Sequence, residues 1–242
     1  MNMREHLDLS AYLVLGPENT KGRPVEDVVR AAVRGGFTCI QLRSKTISAR
    51  ELIACAGRIA EALAAEGKSG TVPLLVNDRL DVALAARMTG VKVDGVHVGQ
   101  SDIPPEACRR FLGDDAIVGL TAPRTIPLAE YLETADISGV DYFGAGPLHE
   151  TDTKTDCRRD HAGNVITRSL EEFRVLRQAS PIPLVAGGGV KTADLPGLAA
   201  TGVEGFFVAS AIAGADDPEK AAREMVACWK QHAASVKPRS DL

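Results

Sequence analysis

The sequence predicts an α/β protein folded as a single (β/α)₈ TIM barrel, and three observations predict it. Short apolar runs alternate with helical stretches eight times along 242 residues, close to the length of about 250 residues typical of such a barrel. The conspicuous polar residues fall just after the apolar runs: Arg43 and Lys45, Asn77 and Asp78, Gln100 and Asp102, Thr121, Thr151–Lys154 and Ser210. In a barrel the loops leaving the strand C-termini build the active site. Third, the phosphate-type glycines come late, at Gly187–Gly189, whereas Gly16-Pro17-Glu18-Asn19 after the first run lacks the Gly-rich fingerprint of an open doubly wound sheet.

The elements follow in order. Ala11–Leu15 is the first strand, and a helix over Val25–Arg34 is ended by Gly35–Gly36. Thr38–Arg43 is the second strand. The next helix, Ala49–Ala65, has Ser48 as its N-cap and Glu51 three residues on, a capping box. Pro73–Val76 is nearly all apolar, as buried parallel strands are, and Asp81–Met88 is its helix. Gly95–Val98 is the fourth strand, and the prolines at 104–105 open the helix after it. Ala116–Leu120 and Leu128–Thr134 form the fifth unit, and Asp141–Gly144 is the sixth strand. The longest polar stretch, Glu150–Arg168, precedes a helix at Leu170–Gln178 and reads as a lid over the site. Ile182–Ala186 with Ala193–Ala200, then Gly205–Ala209 with Pro218–Gln231 capped by Asp217, complete the eight.

Residues 1–242 form one domain in this reading, with a short N-terminal extension (1–10) and a frayed C-terminal tail (235–242). Hydrophobic residues make up 45% and charged residues 25%, an ordinary globular balance. The net charge of −4 and the lack of a basic run argue against nucleic acid as a partner. The opening MNMREHLDLS has no apolar core of a signal peptide, and no run approaches a membrane span, so a cytoplasmic enzyme without a membrane partner is expected. Homo-oligomerisation is left open. The five cysteines are scattered, without a C-x-x-C pair, and give no disulfide framework. Cys157 and His161 lack a second ligand pair and read as solvated loop residues rather than a zinc site.

The polar loops suggest two anion sites. Gly187–Gly189 and Ala209–Ile212, after strands seven and eight, let backbone N–H groups approach a monophosphate. Asn77-Asp78 and Gln100-Ser101-Asp102 leave adjacent strands, which lie roughly 4.8 Å apart. Their two carboxylates are placed to share one hard cation such as Mg²⁺ together with phosphate oxygens. Arg43 and Lys45, one strand over, suit the same polyanion. Two anionic groups across one barrel mouth imply two phosphorylated small molecules or one bisphosphate, with Lys154 placed to reach between them.

On these segments the chain resembles the thiamine phosphate synthase family. The matching stretches are QLRSK (Gln41–Lys45), LVNDRLDVA (Leu75–Ala83), GVHVGQSD (Gly95–Asp102), DYFGAGP (Asp141–Pro147), TDTK (Thr151–Lys154), PLVAGGGV (Pro183–Val190) and VASAI (Val208–Ile212). The resemblance implies a transferase that condenses a hydroxymethylpyrimidine diphosphate with a thiazole monophosphate and releases pyrophosphate, by Mg²⁺-assisted dissociative substitution. By position it implies that Gln41, Arg43, Lys45, Asn77 and Lys154 hold the pyrimidine diphosphate, that Asp78 and Asp102 hold Mg²⁺, and that Thr151, Thr153, Gly188, Ala209 and Ser210 surround the thiazole phosphate. Arg43, Lys45, Lys154 and Thr121 are the expected catalytic residues.

Two features depart from the family. After strand five the family shows G-x-S followed closely by His, whereas here Gly119-Leu120-Thr121 keeps a hydroxyl and Ala122-Pro123 follows. The stretch after Lys154 is also more polar than the family's. A thiazole tautomerase, the enzymatic alternative, needs an acid–base side chain after strand five, and none stands there. A non-catalytic regulator that binds thiamine phosphate would be expected to lose Asp78, Asp102 or Lys154, and all are present. His97, within strand four, reads as a hydrogen-bonded core histidine, and His149 and His161 as solvated loop residues.

Overall fold

Each apolar run becomes a strand of four or five residues: β1 Ala11–Leu15, β2 Cys39–Leu42, β3 Leu74–Asn77, β4 Gly95–Val98, β5 Ile117–Thr121, β6 Tyr142–Ala145, β7 Leu184–Gly187 and β8 Gly205–Val208. In the computed structural model, which describes residues 3–150 and 165–234, these strands are all parallel and follow sequence order, and β8 pairs with β1 to close the barrel. The helices are α1 Val25–Arg34, α2 Ala49–Ala65, α3 Leu80–Met88, α4 Pro105–Leu112, α5 Leu128–Thr134, α6 Leu170–Ala179, α7 Leu195–Ala200, α8 Ser210–Ala213 and α9 Pro218–Ala233.

The predicted strands are all present, with ends shifted by one or two residues. Strand seven begins at Leu184 rather than Ile182, and strand three at Leu74 rather than Pro73. The residue before each observed start is a proline, which has no N–H to donate to the ladder. Strand two ends at Leu42 and strand eight at Val208, which leaves Arg43 and Ala209 in the loops. One α-helix was not anticipated. Ser210–Ala213, read from the sequence as loop, forms the single-turn helix α8. Arg23 Nη2 ties its last turn down by donating to the Ala213 carbonyl at 2.8 Å. The tail at 235–242 and most of the expected lid fall outside the described residues.

The strand period of two sorts the side chains into two cores. One set faces the helices and forms the larger core, with Leu13, Ile40, Val76, Val96, Val118 and Phe143 among its members. The other set points inward. Tyr12, Cys39, Leu75, Ile117, Tyr142 and Val185 fill the lower barrel, where Met3 and Leu9 from the N-terminal segment pack beneath them. Three carboxylates stitch this end. Asp94 accepts from Leu74 N, Asp141 from Val118 N and Glu204 from Leu184 N, each at 2.7–2.8 Å. Each stands just before a strand and satisfies an N–H of the neighbour that the ladder leaves over.

The capping signals operate as read. The Ser48–Glu51 box is formed, and Asp217 accepts from Lys220 N at 2.9 Å to start α9. Since α9 seats Met225 and Trp229 in the helix-side core, Asp217→Ala should lower stability by about 1 kcal/mol. Urea unfolding should show this as a lower midpoint with an unchanged slope.

Candidate active site

The upper end of the barrel opens into a cavity of about 1180 Å³. Its lining comes from the loops predicted to carry chemistry. Gln41, Arg43 and Lys45 reach it from β2, Asn77 and Asp78 from β3, and Gln100 and Asp102 from the loop after β4. Thr121 enters from β5, Gly188 from beyond β7, and Ala209 and Ser210 from beyond β8. The fold therefore brings ten of the sequence-predicted site residues, Gln100 aside, around one space. Thr151, Thr153 and Lys154 lie outside the described residues. So do Cys157 and His161.

The β2–β4 side is electrostatically tight. Asp78 follows β3 with φ of 60°, in the left-handed region that Asp tolerates better than most residues. Its N–H donates to the His97 carbonyl at 2.8 Å, which pins the turn and sets the carboxylate toward the cavity. Lys45 Nζ stands 3.0 Å from Asp78 Oδ2. Asp102 folds back so that its Oδ2 accepts from Gly99 N at 2.7 Å, and its carboxyl stands close enough to Asp78 to influence that group's acidity. The two acids are pushed apart in acidity. Burial raises the Asp78 carboxyl, but its contacts with the Lys45 ammonium and Asp102 outweigh that, and it is held below the usual range. Burial also raises Asp102; the Gly99 N–H pulls it back, the Asp78 carboxylate adds to the rise, and it settles above the usual range. Glu18, from the loop after β1, accepts from the hydroxyls of Ser44 and Thr46 and so braces the loop that presents Arg43 and Lys45.

The β7–β8 side is built of backbone. Gly188 and Gly189 have φ of 86° and 71°, so the turn needs glycine for its conformation as well as for close approach. The reading of these glycines as a tight turn that needs positive φ is what the backbone shows. Ser210 is the first residue of α8, and its N–H lies among those at the start of that turn.

His97 departs from its reading as a core histidine. It is hydrogen-bonded as expected, to Tyr142 and Thr121, but it lines the cavity. Asn77 pairs with His97, so both sit at one level and face inward, a register between strands that the sequence does not display. Tyr12, Arg124, Lys191 and Phe207 also line the cavity and were not singled out. Arg124 donates to the Gly146 carbonyl and Arg168 Nη2 to the Pro123 carbonyl at 2.7 Å, which fastens the divergent 121–124 loop onto the end of β6. His149 is about half exposed beside Asp194, at 3.0 Å, and does not line the cavity.

Known proteins share both the sequence and the fold. The family profile of thiamine monophosphate synthase matches residues 11–212. A thiamine-phosphate synthase of Corynebacterium jeikeium is 42% identical over 95% of this chain and 98% of its own length. One of Natronomonas pharaonis is 39% identical over 90% and 94%. Among solved structures, a thiamine phosphate pyrophosphorylase of Pyrococcus furiosus superposes with a TM-score of 0.73 at 29% identity, covering 95% of this chain and 98% of that one. A 3-hexulose-6-phosphate synthase of Salmonella typhimurium, at 16% identity and a TM-score of 0.65 over 93% and 100%, shares the barrel alone. A profile match that begins at β1 and ends within α8 takes in every strand of the barrel and all the described cavity loops, and the chain belongs to the thiamine monophosphate synthase family.

Proposed function

We infer that this protein is a transferase that condenses 4-amino-2-methyl-5-(diphosphooxymethyl)pyrimidine with a thiazole monophosphate, giving thiamine phosphate and pyrophosphate. Beyond the family membership, one observation carries the reading. A single cavity holds a cation-and-carboxylate cluster on β2–β4 and a glycine-rich backbone seat on β7–β8, on opposite arcs of the closed ring. That is room for one diphosphate and one monophosphate. The tautomerase alternative still wants an acid–base group after β5, where Thr121, Ala122 and Pro123 stand.

The carboxylate pair fits Mg²⁺. Two hard oxygen donors close together, one of them ionised only against the repulsion of the other, gain from a shared cation. Among the described residues no group of three or more His, Cys, Asp or Glu forms a cage, so the remaining coordination positions would go to substrate oxygens and water. Mg²⁺ bound there would supply positive charge to the departing diphosphate. Asp78 and Asp102 would hold it. Arg43 and Lys45 orient the diphosphate and stabilise the charge it gains as the C–O bond breaks. Lys154, from outside the described residues, joins them by its resemblance. Gln41, Asn77 and Thr121 position the pyrimidine, whose amino group feeds electrons to the methylene as the bond breaks. The N–H groups at Gly188, Ala209 and Ser210, with Thr151 and Thr153, hold the thiazole phosphate so that the ring nitrogen faces that carbon. The nitrogen lone pair needs no base, so positioning and electrostatics suffice.

Purified protein incubated with both substrates and Mg²⁺ should form thiamine phosphate, and excess EDTA should stop it. Absence of product under every metal condition would refute the assignment. Membranes play no part in this reading. Among the described residues no helix is long and apolar enough to cross one.

A further inference from the structure

A chain of side-chain hydrogen bonds crosses the barrel beneath the cavity, apart from the carboxylate pair and the diphosphate-side cations. Gln41 Nε2 donates to the Tyr12 hydroxyl at 2.5 Å. The Tyr12 and Tyr142 hydroxyls are 2.8 Å apart. The Tyr142 hydroxyl lies 3.0 Å from His97 Nδ1, and His97 Nε2 lies 3.1 Å from Thr121 Oγ1. The chain joins β2, β1, β6, β4 and β5. Both its ends, Gln41 and Thr121, line the cavity, while Tyr142 is fully buried below it. Glycines make the room. A Cβ on Gly119 would overlap the Tyr142 ring and come 2.5 Å from His97 Nδ1, and one on Gly144 would come 2.8 Å from His97 Cε1.

Each hydroxyl in the chain has one proton to give, so the bonds can be ordered. An amide nitrogen only donates, so Tyr12 accepts from Gln41; of its two remaining partners, Tyr142 and the Cys39 thiol, the phenol oxygen is the stronger acceptor and takes the Tyr12 proton. Burial, ahead of every other influence, raises both phenols well above the usual range, so both stay protonated. A phenol is a stronger donor than an aliphatic hydroxyl, and an imidazole nitrogen is a stronger acceptor than a phenol. Tyr142 therefore donates to His97 Nδ1. The neutral ring then carries its proton on Nε2 and donates to Thr121 Oγ1. That leaves the Thr121 proton for the cavity and, at the other end, Gln41 Oε1 as an acceptor.

We propose that Tyr12, Tyr142 and His97 are positioning residues that fix the polarity of the cavity floor, making Gln41 an acceptor and Thr121 a donor toward the bound ring. The inference rests on the pyrimidine reading above and deepens it. An aminopyrimidine offers an amine donor and ring-nitrogen acceptors, which match this polarity. The corresponding oxopyrimidine offers a carbonyl acceptor and a ring N–H donor, which oppose it. The floor thus selects amino over oxo rings without touching the reacting carbon.

The test has a spectroscopic and a kinetic arm. In ¹⁵N spectra of the labelled full chain, with His97 assigned by its loss in His97→Gln, His97 should show a pyridine-type Nδ1 and a protonated Nε2. A protonated Nδ1 would overturn the proposal, and this readout needs no substrate and no folded variant of Tyr142. Tyr142→Phe should raise the KM for the aminopyrimidine diphosphate about tenfold, the scale of one hydrogen bond, with the thiazole phosphate KM within about twofold and the preference over the oxopyrimidine diphosphate reduced. In a Thr121→Val background the same change should have less than about a twofold effect, because its route to the ligand is already cut. Thr121→Ser should keep the full sensitivity. Additive losses in Tyr142→Phe with Thr121→Val would refute the coupling. A wild type without synthase activity would refute the transferase reading and leave the tautomer result to decide the proton order on its own.

Discussion

Asp78→Asn and Asp102→Asn should each lower kcat by about 10²- to 10³-fold, the scale of losing one strong electrostatic group at a reacting centre. The double substitution should cost at most a few-fold more. The two carboxylates lie close enough to shift each other's acidity in opposite directions, so removing one already dismantles the cation site they would share. Asparagine is the informative replacement at position 78. With φ at 60°, alanine would add backbone strain to the loss of charge, whereas asparagine tolerates that region. Stability should change little, because Lys45, the partner lost with Asp78, is half exposed and its ion pair is screened. Steady-state rates at saturating Mg²⁺, with thermal melts as the control, check both halves. Multiplicative losses in the double variant would mean that the carboxylates act separately.

Gly188→Ala should raise the apparent KM for the thiazole phosphate by at least about tenfold, since one misplaced backbone donor is worth on that order, and should leave the pyrimidine diphosphate KM nearly unchanged. The added Cβ would come 2.5 Å from Pro147 Cβ and 2.6 Å from Pro147 Cα, and φ at 86° is unfavourable to any side chain. The turn must therefore move, at a stability cost of about 1–3 kcal/mol. Gly22→Ala supplies the control. Its φ is 78° but nothing lies within 4 Å of the new carbon, so it should cost only backbone strain and leave both KM values alone. Equal rises in both KM values in Gly188→Ala would assign the loop to general stability.

Much of this architecture is legible in the residues, for reasons that differ by element. Ser48 and Glu51 announce α2 because a capping box is a local contact between side chains three apart, and it forms as spaced. The strands are legible because a parallel barrel strand is covered on both faces and reads as an apolar run. α8 is not legible, because a single turn has no period to detect. Among site residues, Arg43, Lys45, Asn77, Asp78, Asp102 and Thr121 stand out because strand ends are where a barrel places chemistry. What the sequence does not carry is partnership across strands. That Lys45 pairs with Asp78, that Asp102 turns back onto Gly99, and that His97 belongs to the cavity floor all depend on register between segments far apart in sequence.

The packing of Met3 and Leu9 under Tyr12, Leu75 and Val185 has a kinetic consequence. The lower end is stoppered, so the described barrel is a vessel with one mouth. In the proposed reaction both substrates would arrive, and both thiamine phosphate and pyrophosphate would leave, through that single opening, so each passage competes with the others for it.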